Sequence, residues 1–134
     1  MRVVLDTNVV MSAVFFRGQP LKVLEAWRNR RIELVVSEDI LSEYGEIAVR
    51  LSERYANVDF RPWLDLIREY ATKVDVSAPY PSVCEDPDDD AFVACALKAN
   101  AKVICSGDRH LLAVDGYEGL EVLAPGRFVL KYLQ

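Results

Sequence analysis

Short apolar runs alternate with amphipathic helical stretches along almost the whole chain, and this alternation restricts the fold more than any other feature. Arg2–Leu5, Ile32–Val36, Lys102–Cys105 and Leu120–Leu123 read as strands, with Lys73–Val76 a further short one. Segments of helical periodicity separate them. Strand–helix alternation of this kind predicts a mainly parallel sheet with helices on both faces. With 134 residues, 51% of them hydrophobic, the chain is expected to form one domain over 1–134 with a sizeable core.

The helices carry their own punctuation. Val9–Phe16 is apolar, and Arg17-Gly18-Gln19-Pro20 breaks the chain, with Pro20 suited to a first turn. Leu21, Leu24 and Trp27 recur at helical spacing, and the basic run Arg28-Asn29-Arg30-Arg31 closes that helix at its cation-favouring end. This run reads first as a solvated helix end and second as a contact for RNA phosphates. Ser37 is placed to cap the next helix, with Glu38 and Asp39 in its first turn. Asp59 precedes a helix containing Trp63, Leu64, Ile67 and Tyr70, and Pro125-Gly126 leads into a final amphipathic helix.

Asp86-Pro87-Asp88-Asp89-Asp90 stands directly before the apolar run Ala91–Leu97. Such crowded carboxylates repel, so one takes a proton or a cation settles among them. A hard divalent metal on oxygen ligands satisfies them, while capping of free N–H groups at a helix start is the simpler alternative. The other acids add weight to the metal. In open α/β sheets the functional crevice lies beyond the carboxyl ends of the strands. Asp6 follows the first strand and Asp108 follows the Lys102–Cys105 strand, while Asp90 begins the helix leading into that strand. If those strands are neighbours, the three acids share one edge. Ile40, Leu41, Tyr44, Ile47, Ala48 and Leu51 form an apolar stripe, and Glu43 flanks it where a carboxylate can reach an interior cleft.

Several function classes recede. A net charge of −5 lacks the electrostatic footprint of a stand-alone nucleic-acid binder, unless bound cations reverse the field around the acids. Cys84, Cys95 and Cys105 form no Cys-x-x-Cys pair, which removes zinc-ribbon and thioredoxin-like readings and suits a reducing cytoplasm. No apolar run is long enough for a membrane span, and Asp6 comes too early for a signal peptide; the expected location is cytoplasmic, with no membrane association. There is no Walker loop, dinucleotide fingerprint or Gly-x-Ser-x-Gly elbow. The single histidine, His110, leaves a metal-free mechanism based on two imidazoles without its partner group.

Strand-Asp6-Thr7-Asn8, Glu43 on the third helix, Asp-Pro-Asp-Asp-Asp-Ala-Phe before an Ala-rich helix, and Ser-Gly-Asp108-x-x-Leu-Leu together resemble the PIN-domain ribonucleases. The resemblance runs from Val3 to the final helix and is closest to the prokaryotic VapC-like toxins of toxin–antitoxin pairs. It implies a PIN-like three-layer α/β/α sandwich that hydrolyses RNA phosphodiester bonds with Mg²⁺ or Mn²⁺. By matching motif positions, the metal-site acids would be Asp6, Glu43, Asp90 and Asp108. Asp86 and Asp89 would assist or cap, and Thr7, Asn8 and Ser106 would hydrogen-bond around the acids. Arg109 and His110 stand where many relatives carry a further acid, which would weaken a second metal site.

Two other classes compete with a nuclease. One is a PIN-fold binding module acting through a protein partner. The other is an aspartate phosphoacceptor, although Asp6-Thr7-Asn8 lacks the paired acidic motif such domains carry after the first strand. An antitoxin protein is the partner the resemblance implies, and an Arg or Lys from it would suit the acidic site. Phe15, Phe16, Leu21, Leu24 and Trp27 would make either its groove or, more simply, core. The final helix, with Phe128, Val129, Tyr132 and Leu133, is a candidate homodimer surface.

Overall fold

The structure is a computed structural model that describes residues 1–134. Its strands are β1 (Arg2–Leu5), β2 (Glu33–Val36), β3 (Thr72–Lys73), β4 (Val103–Cys105) and β5 (Glu121–Leu123). Its helices are α1 (Thr7–Phe15), α2 (Gly18–Arg28), α3 (Glu38–Ser52), α4 (Arg61–Tyr70), α5 (Asp90–Lys98), α6 (Arg109–Leu112) and α7 (Pro125–Tyr132). The five strands form one parallel sheet in the order β3-β2-β1-β4-β5.

Helices cover both faces of the sheet, so its central strands carry no polar alternation. Val3, Val4, Leu5, Leu34, Val35, Val36, Val103, Ile104 and Cys105 are all buried, the continuous apolar pattern of a parallel sheet. Forty buried residues join in one core. Helix α1 is apolar nearly all round and is correspondingly buried, packed against α2 and α3. Helix α5 lies against β1, β2 and β4. Between α1 and α2, Arg17 and Gly18 both take left-handed backbone (φ 68° and 65°), which reverses the chain within a few residues.

Two sequence expectations change. The third strand is only Thr72–Lys73, prolonged by one bond from the Val74 amide to the Val36 carbonyl; its alternation of half-buried and exposed residues reflects an edge position. The acidic segment does not open α5 directly. Pro87–Asp89 first makes one tight 3₁₀ turn, capped by Asp86, whose Oδ1 accepts from the Asp88 amide at 3.0 Å. Helix α6 is a single turn that the sequence pattern did not reveal. Of the candidate groove residues, Phe15, Leu21, Leu24 and Trp27 are core, and only Phe16 is exposed.

What positions the site is the order of the central strands. β1 and β4 are neighbours, with Val3, Val4 and Leu5 opposite Val103, Ile104 and Cys105. Chain connections leave this pair in opposite directions, so the crevice of an open parallel sheet falls at its carboxyl edge.

Candidate active site

Register brings Asp6 and Asp108 together. Leu5 lies opposite Cys105, and the Asp6 amide donates to the Cys105 carbonyl at 3.0 Å. One residue on, the buried Ser106 hydroxyl donates to Asp6 Oδ2 at 2.8 Å and accepts from the Asp108 amide at 3.0 Å. Asp108 caps α6 by accepting from the His110 amide at 3.2 Å. Ser106 thus ties the ends of both central strands to a pair of acids.

Asp6 is buried, and burial is the main force raising its pKa. The hydrogen bonds from Ser106 and the Asn8 amide oppose the rise, while the charges of Asp108 and Glu43 add to it. Glu43 arrives from α3, where it accepts a short hydrogen bond from the buried Thr7 hydroxyl. The next residue, Tyr44, fixes the helix on the sheet: its phenol donates to the Leu5 carbonyl at 2.5 Å, immediately before Asp6. Asn8 is exposed, and with Ser12, Gly107 and Asp108 it lines a hollow of about 390 Å³ beside the acids.

Asp89 and Asp90 are both buried but do different things. Asp90 Oδ1 accepts from the Val83 and Cys84 amides, at 3.0 and 2.7 Å, and so fastens the loop before the acidic segment. Asp89 turns toward the other acids. Its Oδ2 is buried with no hydrogen-bond donor facing it. Burial, followed by the hydrogen bond and charge of Asp108 and the charges of Asp6 and Asp86, pushes its pKa up to about 8. Burial works upward on Asp108 too, but its pairing with Asp89, the His110 amide and the neighbouring His110 and Arg109 side chains leave it below the ordinary carboxylate value. Crowding of like charges at this site therefore favours the protonated form of Asp89, while Asp108 keeps its charge more readily. The sequence placed Asp90 ahead of Asp89 as the acid nearest the site. Both side chains are buried in the structure, with one Asp90 oxygen held by the loop amides and Asp89 within reach of the charges of Asp108, Asp6 and Asp86.

As the side chains stand, no three Asp, Glu, His or Cys groups close into a ligand cage around one point. An open set of hard oxygen donors nevertheless suits Mg²⁺ or Mn²⁺, because Mg²⁺ keeps several waters and takes only one or two carboxylates. The orphaned Asp89 oxygen and the excess negative charge around it are what a cation would relieve. The residues present fit the ion.

Comparison with known proteins agrees with the fold described. The chain is 28% identical over 116 residues to the uncharacterized protein MJ1680 of Methanocaldococcus jannaschii, covering 84% of this chain and 74% of that one. It superposes on the VapBC2 structure from Rickettsia felis, solved bound to a DNA fragment from its promoter, with a TM-score of 0.60 at 16% identity, covering 91% of this chain and 97% of that one. PAE2754 from Pyrobaculum aerophilum gives a TM-score of 0.59 at 15% identity, covering all of this chain (100%) and 91% of that one. The model of the PIN domain matches residues 2–110, which take in β1 through the start of α6 and every acid described above. The chain belongs to the PIN domain family.

Proposed function

We propose that the protein is a metal-dependent endoribonuclease, with its site at the carboxyl edge of β1 and β4. The observation that carries this reading is the gathering of buried Asp6 and Asp89 with half-buried Asp108, and Glu43 beside them, at the crevice of a PIN fold. Asp6, Asp89 and Asp108 would hold Mg²⁺ or Mn²⁺, with Asp90 contributing the oxygen not committed to the Val83 and Cys84 amides. Such an ion supplies Lewis acidity at phosphorus and makes water acidic enough to give up a proton near neutral pH.

The chain's own groups do the rest. Ser106 aims Asp6 and opposes the rise in its pKa that burial causes, because its hydroxyl donates to the carboxylate. Glu43, held by Thr7, is placed to orient the attacking water or to bind a second ion. A cation held beside Asp89 would favour its ionised form, so metal binding would be linked to loss of a proton there. Asn8 and Gly107, at the rim of the adjoining hollow, lie where the RNA backbone would pass.

The likeness to a VapBC2 structure supports a toxin role, in which an antitoxin protein would cover the site and offer it an Arg or Lys. A homodimer through α7 is a further part of the proposal: Leu130 is 65% exposed there, while Phe128 and Val129 are buried within the chain. A cytoplasmic location suits an RNA substrate, and no helix is long and apolar enough to cross a membrane.

The test is cleavage of a mixed RNA pool by the purified chain with Mg²⁺, Mn²⁺ or EDTA, alongside Asp6→Asn. Metal-dependent cutting that disappears in the variant is the expected result. Folded protein that cuts nothing in either metal would favour a binding module instead, and a stable aspartyl phosphate formed from a small phosphodonor would favour signalling.

A further inference from the structure

A second cavity, of about 590 Å³, opens at the opposite edge of the sheet, between Met1 and the amino end of β2. β1 separates the two edges by about 13 Å, from its four residues at about 3.3 Å each. Arg28, Arg30 and Arg31 line this cavity with Trp27, Ile32, Leu66 and Tyr70. Glu33 is its one acid, and it is already engaged by the Thr72 hydroxyl and by Arg2 at 3.4 Å. A chain of net charge −5 therefore presents a local cationic hollow.

The arginines differ in how committed they are. Arg28 lies over the Trp63 ring at 4.9 Å and reaches Glu25 at 3.5 Å. Arg31 donates to the Leu133 carbonyl at 2.9 Å, which fixes its direction. Arg30 sits on left-handed backbone (φ 63°), an uncommon state for a residue with a Cβ, and its exposed guanidinium has no hydrogen-bond or ion-pair partner. Beside these charges Tyr70 is 69% exposed, and Met1 is half-exposed. Single-stranded nucleic acid matches this combination, since each nucleotide offers a phosphate to a guanidinium and a base face to an aromatic ring. An acidic peptide matches the charge alone.

We propose that this groove is an anchoring subsite for single-stranded RNA, taking phosphates on Arg28, Arg30 and Arg31 and a base on Tyr70, at the sheet edge away from the carboxylates. The choice of RNA rests on the ribonuclease reading above. A strand anchored here and bent around the sheet reaches the acids with its register already set, so the groove favours long substrates over short ones.

The experiment measures binding of a fluorescent single-stranded RNA of about ten nucleotides, within the range of known single-strand sites, in EDTA so that nothing is cut. The parent chain, Asp6→Asn, Arg30→Glu and Tyr70→Ala are compared. Both groove side chains are exposed and neither makes a hydrogen bond, so these variants keep the fold. The expected result is at least about fivefold weaker binding for Tyr70→Ala. Arg30→Glu weakens binding and lowers the slope of affinity against salt by about one. Asp6→Asn keeps groove-dependent binding. Under metal, the KM for the long RNA rises in both groove variants at unchanged kcat, while a dinucleotide is cut as before. Parental affinity in both variants overturns the proposal. So does an absence of RNA binding by the parent, or displacement of RNA by a poly-glutamate peptide that binds more tightly. Groove-dependent RNA binding by a parent chain that cuts nothing in any metal supports the subsite and overturns the ribonuclease reading alone.

Discussion

At the acidic cluster, neighbouring carboxylates are driven to opposite protonation states. Burial first, and then the charges of Asp108, Asp6 and Asp86, hold Asp89 up to about 8, while the His110 amide and the neighbouring Arg109 help hold Asp108 below its ordinary value. Between the ordinary value of 3.8 and about 8 the native chain therefore binds a proton that the unfolded chain does not. Stability of the metal-free protein should fall as pH rises through that window, since the unfolded state binds fewer protons there. Urea unfolding in EDTA at about pH 5 and about pH 8 checks this, and Asp89→Asn should flatten the difference. Added Mg²⁺ or Mn²⁺ should stabilise the parent more at the higher pH, where fewer protons compete. Asp90 should behave differently. Replacing it with Asn leaves the Val83 and Cys84 amides facing a poorer acceptor, so Asp90→Asn should destabilise the fold by about 1–3 kcal/mol, whereas Asp89→Asn should not. Denaturation midpoints of the two variants separate the carboxylate that also fastens the loop from the one that does not.

Among the elements, α3 has the clearest division of labour. Ser37 caps it, accepting from the Ile40 amide at 3.3 Å, and Glu38 and Asp39 complement the dipole in its first turn. Tyr44 then pins it to the end of β1, and Glu43 reaches the acids from the adjoining position. Ser37→Ala should cost about 1 kcal/mol of stability. Tyr44→Phe, which leaves the buried Leu5 carbonyl without this donor, should cost about 1–3 kcal/mol and also lower cleavage, because the same bond sets the distance from α3 to Asp6. A Tyr44→Phe chain with parental kcat and only reduced stability would show that α3 does not position Glu43. Ahead of α5, a 3₁₀ turn capped by Asp86 precedes the helix, and the Val83 and Cys84 amides hold Asp90 at its first position.

For the molecule as a whole, the fold depends on a thin sheet that is buried on both sides. Ile104 has no exposed surface and lies in β4 between β1 and β5. Ile104→Ala should destabilise by about 2–5 kcal/mol, since its neighbours pack from both faces and cannot collapse into the space. Thermal unfolding measures it. The same sheet separates two surfaces of opposite character, carboxylates at its carboxyl edge and arginines at its amino edge. A chain acidic in total can hold both only because the two lie at opposite ends of parallel strands.

Much of this was legible in the residues. Alternating strands and helices specified a parallel α/β sheet, since apolar periodicity and caps are local properties read off neighbouring positions. Asp6, Glu43 and Asp108 stood out because each follows a strand or flanks an apolar stripe. That Ser37 caps α3 was visible for the same reason. The adjacency of β1 and β4, which brings Asp6 to Asp108, is a pairing between residues about a hundred positions apart, and no local pattern encodes it. Local spacing was equally silent on Asp89 and Asp90. Loop amides engage one oxygen of Asp90, and the charges of Asp108, Asp6 and Asp86 surround Asp89, arrangements that arise only in the folded chain. The basic run at Arg28–Arg31 read as a solvated helix end, and only folding set Tyr70 from α4 beside it. Sequence determined the elements and the identity of the charged groups. Tertiary structure decided which of those groups meet, because electrostatic coupling depends on distances that only the packed chain sets.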